Sequence, residues 1–207
     1  MQMAGRRERK SRPMFKAINL FVWSFCAIVI ALVLPADARR LPDRIDAVQL
    51  KKGLAAFSRQ DYTAAGLLLR APAEHGNSNA QAVLCFLYTY GRGVPQSYRE
   101  AAHWCHRSAG QGNAQGQYLL GLLYDSGHGV PEDYVQAYKW LNLAAAHATG
   151  PKRDFSYRIR DAVATKMSPR QVAKAQTLAI TWRPIPELHG SACMAGQCVD
   201  GEKCFDQ

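Results

Sequence analysis

Five cysteines outside the N-terminal apolar stretch are the residues best suited by type to do chemistry: Cys85, Cys105, Cys193, Cys198 and Cys204. In an oxidising compartment such residues are read as potential disulfides. Cys85 and Cys105 fall on two helices expected to run antiparallel within one hairpin, roughly one turn out of level. They are either a staple or two buried free thiols. Spacing alone decides neither, because a bridge needs Cα atoms about 4.4–6.8 Å apart. Cys193, Cys198 and Cys204 lie in a tail too short to have its own core, where a disulfide loop is expected. His189 would complete a zinc set with them, but at unusual spacings. An odd count leaves one thiol free or available to another chain. His103 and His106 flank Cys105 on one helix, yet no third or fourth ligand accompanies them, so an exposed polar face is the expected reading. No metal and no cofactor are expected.

Hydrolytic signatures are absent. The sequence contains no Ser-x-x-Lys, Lys-Thr-Gly, His-Glu-x-x-His or Gly-x-Ser-x-Gly. Two glycine-rich stretches, Gly91-Arg92-Gly93-Val94-Pro95 and Gly127-His128-Gly129-Val130-Pro131, lack the third glycine and the preceding strand of a phosphate-binding turn. They are turn chemistry, and an enzyme is not expected.

The elements that position these residues follow from the spacing of the two stretches, which is 36 residues. Tyr62, Tyr98 and Tyr134 share that offset, as do Ala65, Ala101 and Ala137, and Ala73, Ala109 and Ala145. Trp104 returns as Trp140 and Tyr88 as Tyr124. A period of this length marks stacked helix pairs. The predicted fold is all-α, an α/α solenoid of antiparallel pairs. Gly91 and Gly127 sit where a helix ends in the left-handed region, which glycine adopts at little cost. Gly93 and Gly129 give a second flexible point, and Pro95 and Pro131 stiffen the connection. Trp104 and Trp140 are expected in the core, where truncation to alanine would cost about 3–5 kcal/mol.

The apolar stripe Ala47, Leu50, Leu54, Phe57 predicts a helix from 46 to 58, after a linker at 39–45. Asp61 caps the next helix, which Pro72 is expected to end or bend. Further helices are predicted over 79–90, 114–126 and 133–148. Ser97-Tyr98-Arg99-Glu100 and Asp133-Tyr134-Val135-Gln136 read as capping boxes before the second helix of their units. Gly150-Pro151 breaks the period. Helices over 152–167 and from Ser168-Pro169 to about 182 then form an atypical terminal pair that covers the open end of the stack. The domains expected are 1–38 leader, 46–149 repeats in about three units, 150–186 capping helices and 187–207 cysteine tail.

The leader has the layout of a signal peptide: basic residues from Arg6 to Lys16, an apolar run from Ala17 to Leu34, then Ala36-Asp37-Ala38. Cleavage after Ala38 and export to the periplasm or beyond are expected. The alternative is an uncleaved inner-membrane anchor, the only case in which a membrane would be a partner. Either Met1 or Met14 serves as the start. The full chain carries a formal charge of +10, and loss of six basic and two acidic residues with the leader leaves +6. The remaining charge is scattered, with one cluster at Lys152, Arg153, Arg158 and Arg160. This is a mild bias toward acidic partners and not a nucleic-acid signature.

The string from Gly112 to Tyr124, then Gly127 to Pro131, then Ala137-Tyr138-Lys139-Trp140, resembles a Sel-1-like repeat (SLR), a relative of the tetratricopeptide repeats. The resemblance covers residues 76–149 well and 47–75 loosely. It implies a solenoid that mediates protein–protein contacts, with an envelope or sensor protein among the partners to expect. It also implies that the first helix of each unit lines the binding face. Val83, Leu87 and Tyr90, continued by Leu119 and Leu123, would then form an apolar groove for a peptide or helix. The competing reading buries Leu87 and Leu123 between helices, and leaves Val83 and Leu119 evenly balanced. Cysteine-rich exported relatives imply the alternative function, binding or hydrolysis of β-lactams or cell-wall fragments.

Overall fold

A computed structural model describes residues 40–185, with side chains from 44 onward. The leader and the tail with Cys193, Cys198 and Cys204 lie outside the described residues. The described residues from 46 onward belong to one compact unit.

Eight helices follow one another among the described residues: α1 (Arg40–Ser58), α2 (Tyr62–Glu74), α3 (Ser78–Tyr90), α4 (Tyr98–Gly110), α5 (Ala114–Ser126), α6 (Tyr134–His147), α7 (Pro151–Ala164) and α8 (Pro169–Thr181). They form the all-α solenoid of antiparallel pairs that the period predicts. The helix ends are set by local chemistry. Asn77 and Asn113, one period apart, each accept two backbone N–H groups at the starts of α3 and α5. Gly91 and Gly127 close those helices with φ of 62° and 66°. Ser97 accepts from Glu100 N–H, Asp133 accepts from Val135 and Gln136, and Ser168 forms the full reciprocal box with Gln171.

One expectation needs correction. α1 starts at Arg40, so residues 40–45 are helix and not linker. Pro42 lies in its first turn, where a missing N–H removes no helical bond. Pro72 lies in the last turn of α2, which ends two residues later, in keeping with its expected role. A proline this close to the end removes a single hydrogen bond, its ring is buried, and its carbonyl accepts from Asn77 N–H.

The core is one row of apolar residues along the stack. Leu69, Leu87, Leu120, Leu123 and Leu141 are fully buried, with the alanines of the period between them. Trp104 and Trp140 are 6% and 4% exposed and belong to this core. Burial of such side chains contributes about 1.5–3 kcal/mol each.

Neighbouring units are joined by three contacts that repeat with the sequence. First, Gly93 lies against the backbone of Tyr62 and Thr63, and Gly129 against that of Tyr98. The second glycine of the loop is therefore required by close approach as well as by its positive φ. Second, the residue between the glycines covers the tyrosine that opens the preceding unit's second helix. Arg92 sits 5.3 Å over Tyr62, and His128 stacks on Tyr98 at 4.2 Å. Third, the buried amides of Gln81 and Gln117 donate to the carbonyls of Ala73 and Ala109. Their own oxygens pair with Gln111 and His147.

The terminal pair copies part of this scheme without the glycine loop. Lys166, between α7 and α8, lies 5.1 Å over Tyr134 and binds Asp125 at 2.7 Å. Val163, Ala175 and Ala179 are buried against the stack. Beyond α8, Trp182 meets Trp140 edge-on at 6.1 Å. Among the described residues no helix is long and apolar enough to cross a membrane.

Candidate docking cleft

The predicted groove largely dissolves into core. Leu87, Leu119 and Leu123 are 0%, 1% and 2% exposed, so no partner reaches them. The even choice at Leu119 falls on the buried side. Val83 is half-buried, and Tyr90, 49% exposed, is the groove residue that faces solvent most fully.

Cys85 and Cys105 form a disulfide with Cα atoms 5.1 Å apart, inside the range such a bond requires. Both residues are completely buried. One period later the same positions hold Gly121 and Leu141, packed so closely that a Cβ on Gly121 would lie 2.7 Å from Leu141 Cγ. The disulfide thus replaces a glycine–leucine contact within the hairpin.

The polar-face reading of the histidines holds at His103, which is exposed, and fails at His106. His106 packs edge-on against Tyr124, with Nε2 3.2 Å from its hydroxyl. Burial, then the charge of Lys139 and the proximity of His103, lower its pKa to about 4. No group of three metal-ligating side chains occurs among the described residues. Lys139, at the position of His103, is buried with its ammonium 4.4 Å from the Trp140 ring.

A cleft of about 280 Å³ opens where the period fails. Its walls are the first half of α5, the end of α6 and the first half of α7. Gly150, with φ 58° and ψ −144°, turns the chain there, and α7 starts without a side-chain cap. Tyr118 and Phe155 form the apolar floor, their rings 5.8 Å apart. Gln115, His147, Thr149, Lys152 and Ser156 supply the polar border. Among the described residues, no carboxylate lines it.

The border divides into groups already engaged and groups that are open. His147 is held by Gln117 at 2.9 Å, and the Ser156 hydroxyl donates to the Lys152 carbonyl at 2.9 Å. Gln115, Tyr118, Thr149 and the Lys152 ammonium have no side-chain hydrogen-bond or ion-pair partner among the described residues. Burial raises the Tyr118 pKa, with a further rise from Tyr90 of the preceding unit. Tyr118 and Phe155 escaped the sequence reading because Tyr118 stands where the preceding unit has Ala82, and Phe155 belongs to the non-periodic end.

Residues 78–113 and 114–148 each match the Sel1 repeat. Residues 78–148 thus carry two Sel1 repeats. The two matched Sel1 segments begin where α3 and α5 begin. Among solved structures, a protective antigen of uropathogenic Escherichia coli with an SLR fold is 28% identical, with a TM-score of 0.59 over 66% of this chain. The chain spans 29% of the length of that antigen. A Sel1 repeat protein from Oxalobacter formigenes is 29% identical over 59% of this chain and 96% of its own, with a TM-score of 0.48. No curated protein matches the sequence significantly.

Proposed function

We propose that this chain is an exported, non-catalytic interaction module that holds a partner protein on the face carrying α5 and α7. The observation that carries this reading is the contrast in polar pairing. Amides and tyrosines inside the stack are matched unit by unit, whereas Gln115, Tyr118, Thr149 and Lys152 border an apolar cleft with their hydrogen-bonding capacity open. Surfaces of this kind bind through apolar anchors and a few oriented polar groups. Export is supported by the leader layout and by the Cys85–Cys105 bond, which persists outside reducing compartments. The two Sel1 repeats support a scaffold.

The test is capture from an envelope fraction with the mature chain carrying a photo-crosslinker at Phe155 or, as a control, at Lys174. A specific adduct at Phe155 and none at Lys174 is the expected result. Equal labelling at both positions, or none at either, overturns the reading. Fractionation of the tagged full chain addresses export, with recovery in the cytoplasm as the contrary outcome.

A further inference from the structure

We propose that the α5–α7 cleft takes a peptide segment of the partner in which an aromatic side chain is flanked by carboxylates. This rests on the interaction-module reading and names the partner's chemistry. Three features of the cleft point the same way.

The first is its floor. Tyr118 is half-buried and Phe155 is 43% exposed, so their rings present a semi-covered apolar surface. An inserted aromatic ring completes this contact with edge-to-face geometry.

The second is charge. In the basic cluster of α7, Arg153 pairs with Asp154, Arg160 pairs with Asp161 and also donates to Asn142, and Arg158 lies over the Phe155 ring. Lys152 has no such partner among the described residues, and it is the cluster member that lines the cleft. With no carboxylate among the described lining residues, a peptide carboxylate at Lys152 meets attraction from the cleft wall. A cationic peptide meets the reverse.

The third is the set of open donors. Gln115, the Tyr118 hydroxyl and Thr149 border the same volume and can donate to carboxylate or backbone oxygens. A volume of about 280 Å³ suits one aromatic side chain and its neighbours rather than a folded domain. Lys152 and Phe155 are both exposed, so each can be altered without touching the stack.

The test uses the mature chain and a short fluorescent peptide with one phenylalanine between two aspartates, read by anisotropy at low and physiological salt. Counterparts with asparagine or lysine in place of aspartate serve as comparisons. The acidic peptide should bind, and the asparagine form should bind about tenfold more weakly, as expected for loss of a charge-assisted hydrogen bond. Lys152→Glu should weaken the acidic peptide by at least that factor and improve the lysine form. Phe155→Ala should weaken both the acidic and the asparagine peptides, and Lys174→Glu neither. Equal binding of acidic and asparagine peptides, or indifference to Lys152→Glu, overturns the inference, as does absence of binding. If peptides fail while a captured protein still crosslinks at Phe155, this inference falls and the interaction module stands. If both fail, both fall.

Discussion

Gly129 lies so close to the carbonyl of Tyr98 that a Cβ has no room between them, and Gly93 bears the same relation to Tyr62. The loop is therefore a contact between units as well as a turn within one.

This separates glycines that look alike in the sequence. At Gly129, φ is +73° and the obstacle is backbone, so Gly129→Ala incurs left-handed strain and displaces a helix start. The expected loss is about 3 kcal/mol or more. At Gly127, φ is +66° but the nearest atom is Glu132 Cβ at 3.4 Å, so Gly127→Ala should lose only about 1 kcal/mol. Gly110 has nothing within 4 Å, and Gly110→Ala should be neutral or gain up to about 1 kcal/mol. Urea midpoints of the three variants check the order, and equal losses at Gly127 and Gly129 would contradict it.

The disulfide and its counterpart one period later predict a specific exchange. Opening the Cys85–Cys105 loop, with a sequence separation of 20, should lose about 3 kcal/mol in a Cys85→Ala, Cys105→Ala protein. Cys105→Leu alone should overpack against Cys85. Combined with Cys85→Gly, it recreates the Gly121–Leu141 contact and should recover part of the loss. Thermal melts of the singles and the double provide the cycle. A double variant no better than the sum of its singles would show that the hairpin cannot accept the next unit's packing.

His106 predicts an acid limit. Its pKa falls from 6.5 to about 4 on folding, chiefly through burial, so the folded state favours the neutral ring. The associated stability is complete above the unfolded value of about 6.5 and is lost as pH falls through the folded value of about 4. The loss by pH 4 should be about 2–3 kcal/mol. His106→Asn, the residue found at Asn142, should remove this component while leaving the carboxylate contributions. Urea midpoints at pH 7.5 and 4.5 compare the two proteins, and identical pH slopes would exclude His106 as the source.

Periodicity made the stack legible because each repeated residue has a repeated job. Gly91 and Gly127 end helices, Asn77 and Asn113 start them, and Trp104 and Trp140 fill the same space. It could not separate a buried face from a binding face. Leu119 and Val83 share a position, yet Leu119 is core and Val83 is half-buried, because exposure depends on what packs outside the helix. The cleft was illegible for a related reason. It exists where Gly150 redirects the chain and Phe155 meets Tyr118, two residues with no repeat relationship. The Cys85–Cys105 bond was undecided in the sequence because a hairpin register one turn uncertain spans both bridged and unbridged geometries.

The buried glutamines test whether the seams between units are equivalent. Gln81 and Gln117 are both fully buried. Each donates to the carbonyl of an alanine that ends the previous unit, at 3.0 and 3.3 Å. Each of those carbonyls also accepts a backbone N–H, from Gly76 and Gly112 respectively, so replacement by leucine strands no acceptor completely. Gln117→Leu should therefore lose only about 1–2 kcal/mol, and Gln81→Leu the same within about 0.5 kcal/mol. Gln117→Glu is different, because a carboxylate would face the Ala109 carbonyl without a donor to offer it. It should lose about 3 kcal/mol or more at pH 8. Urea denaturation of the three variants at pH 8 distinguishes these cases. If glutamate is tolerated as well as leucine at pH 8, the seam admits water and the amide is not a structural link between units.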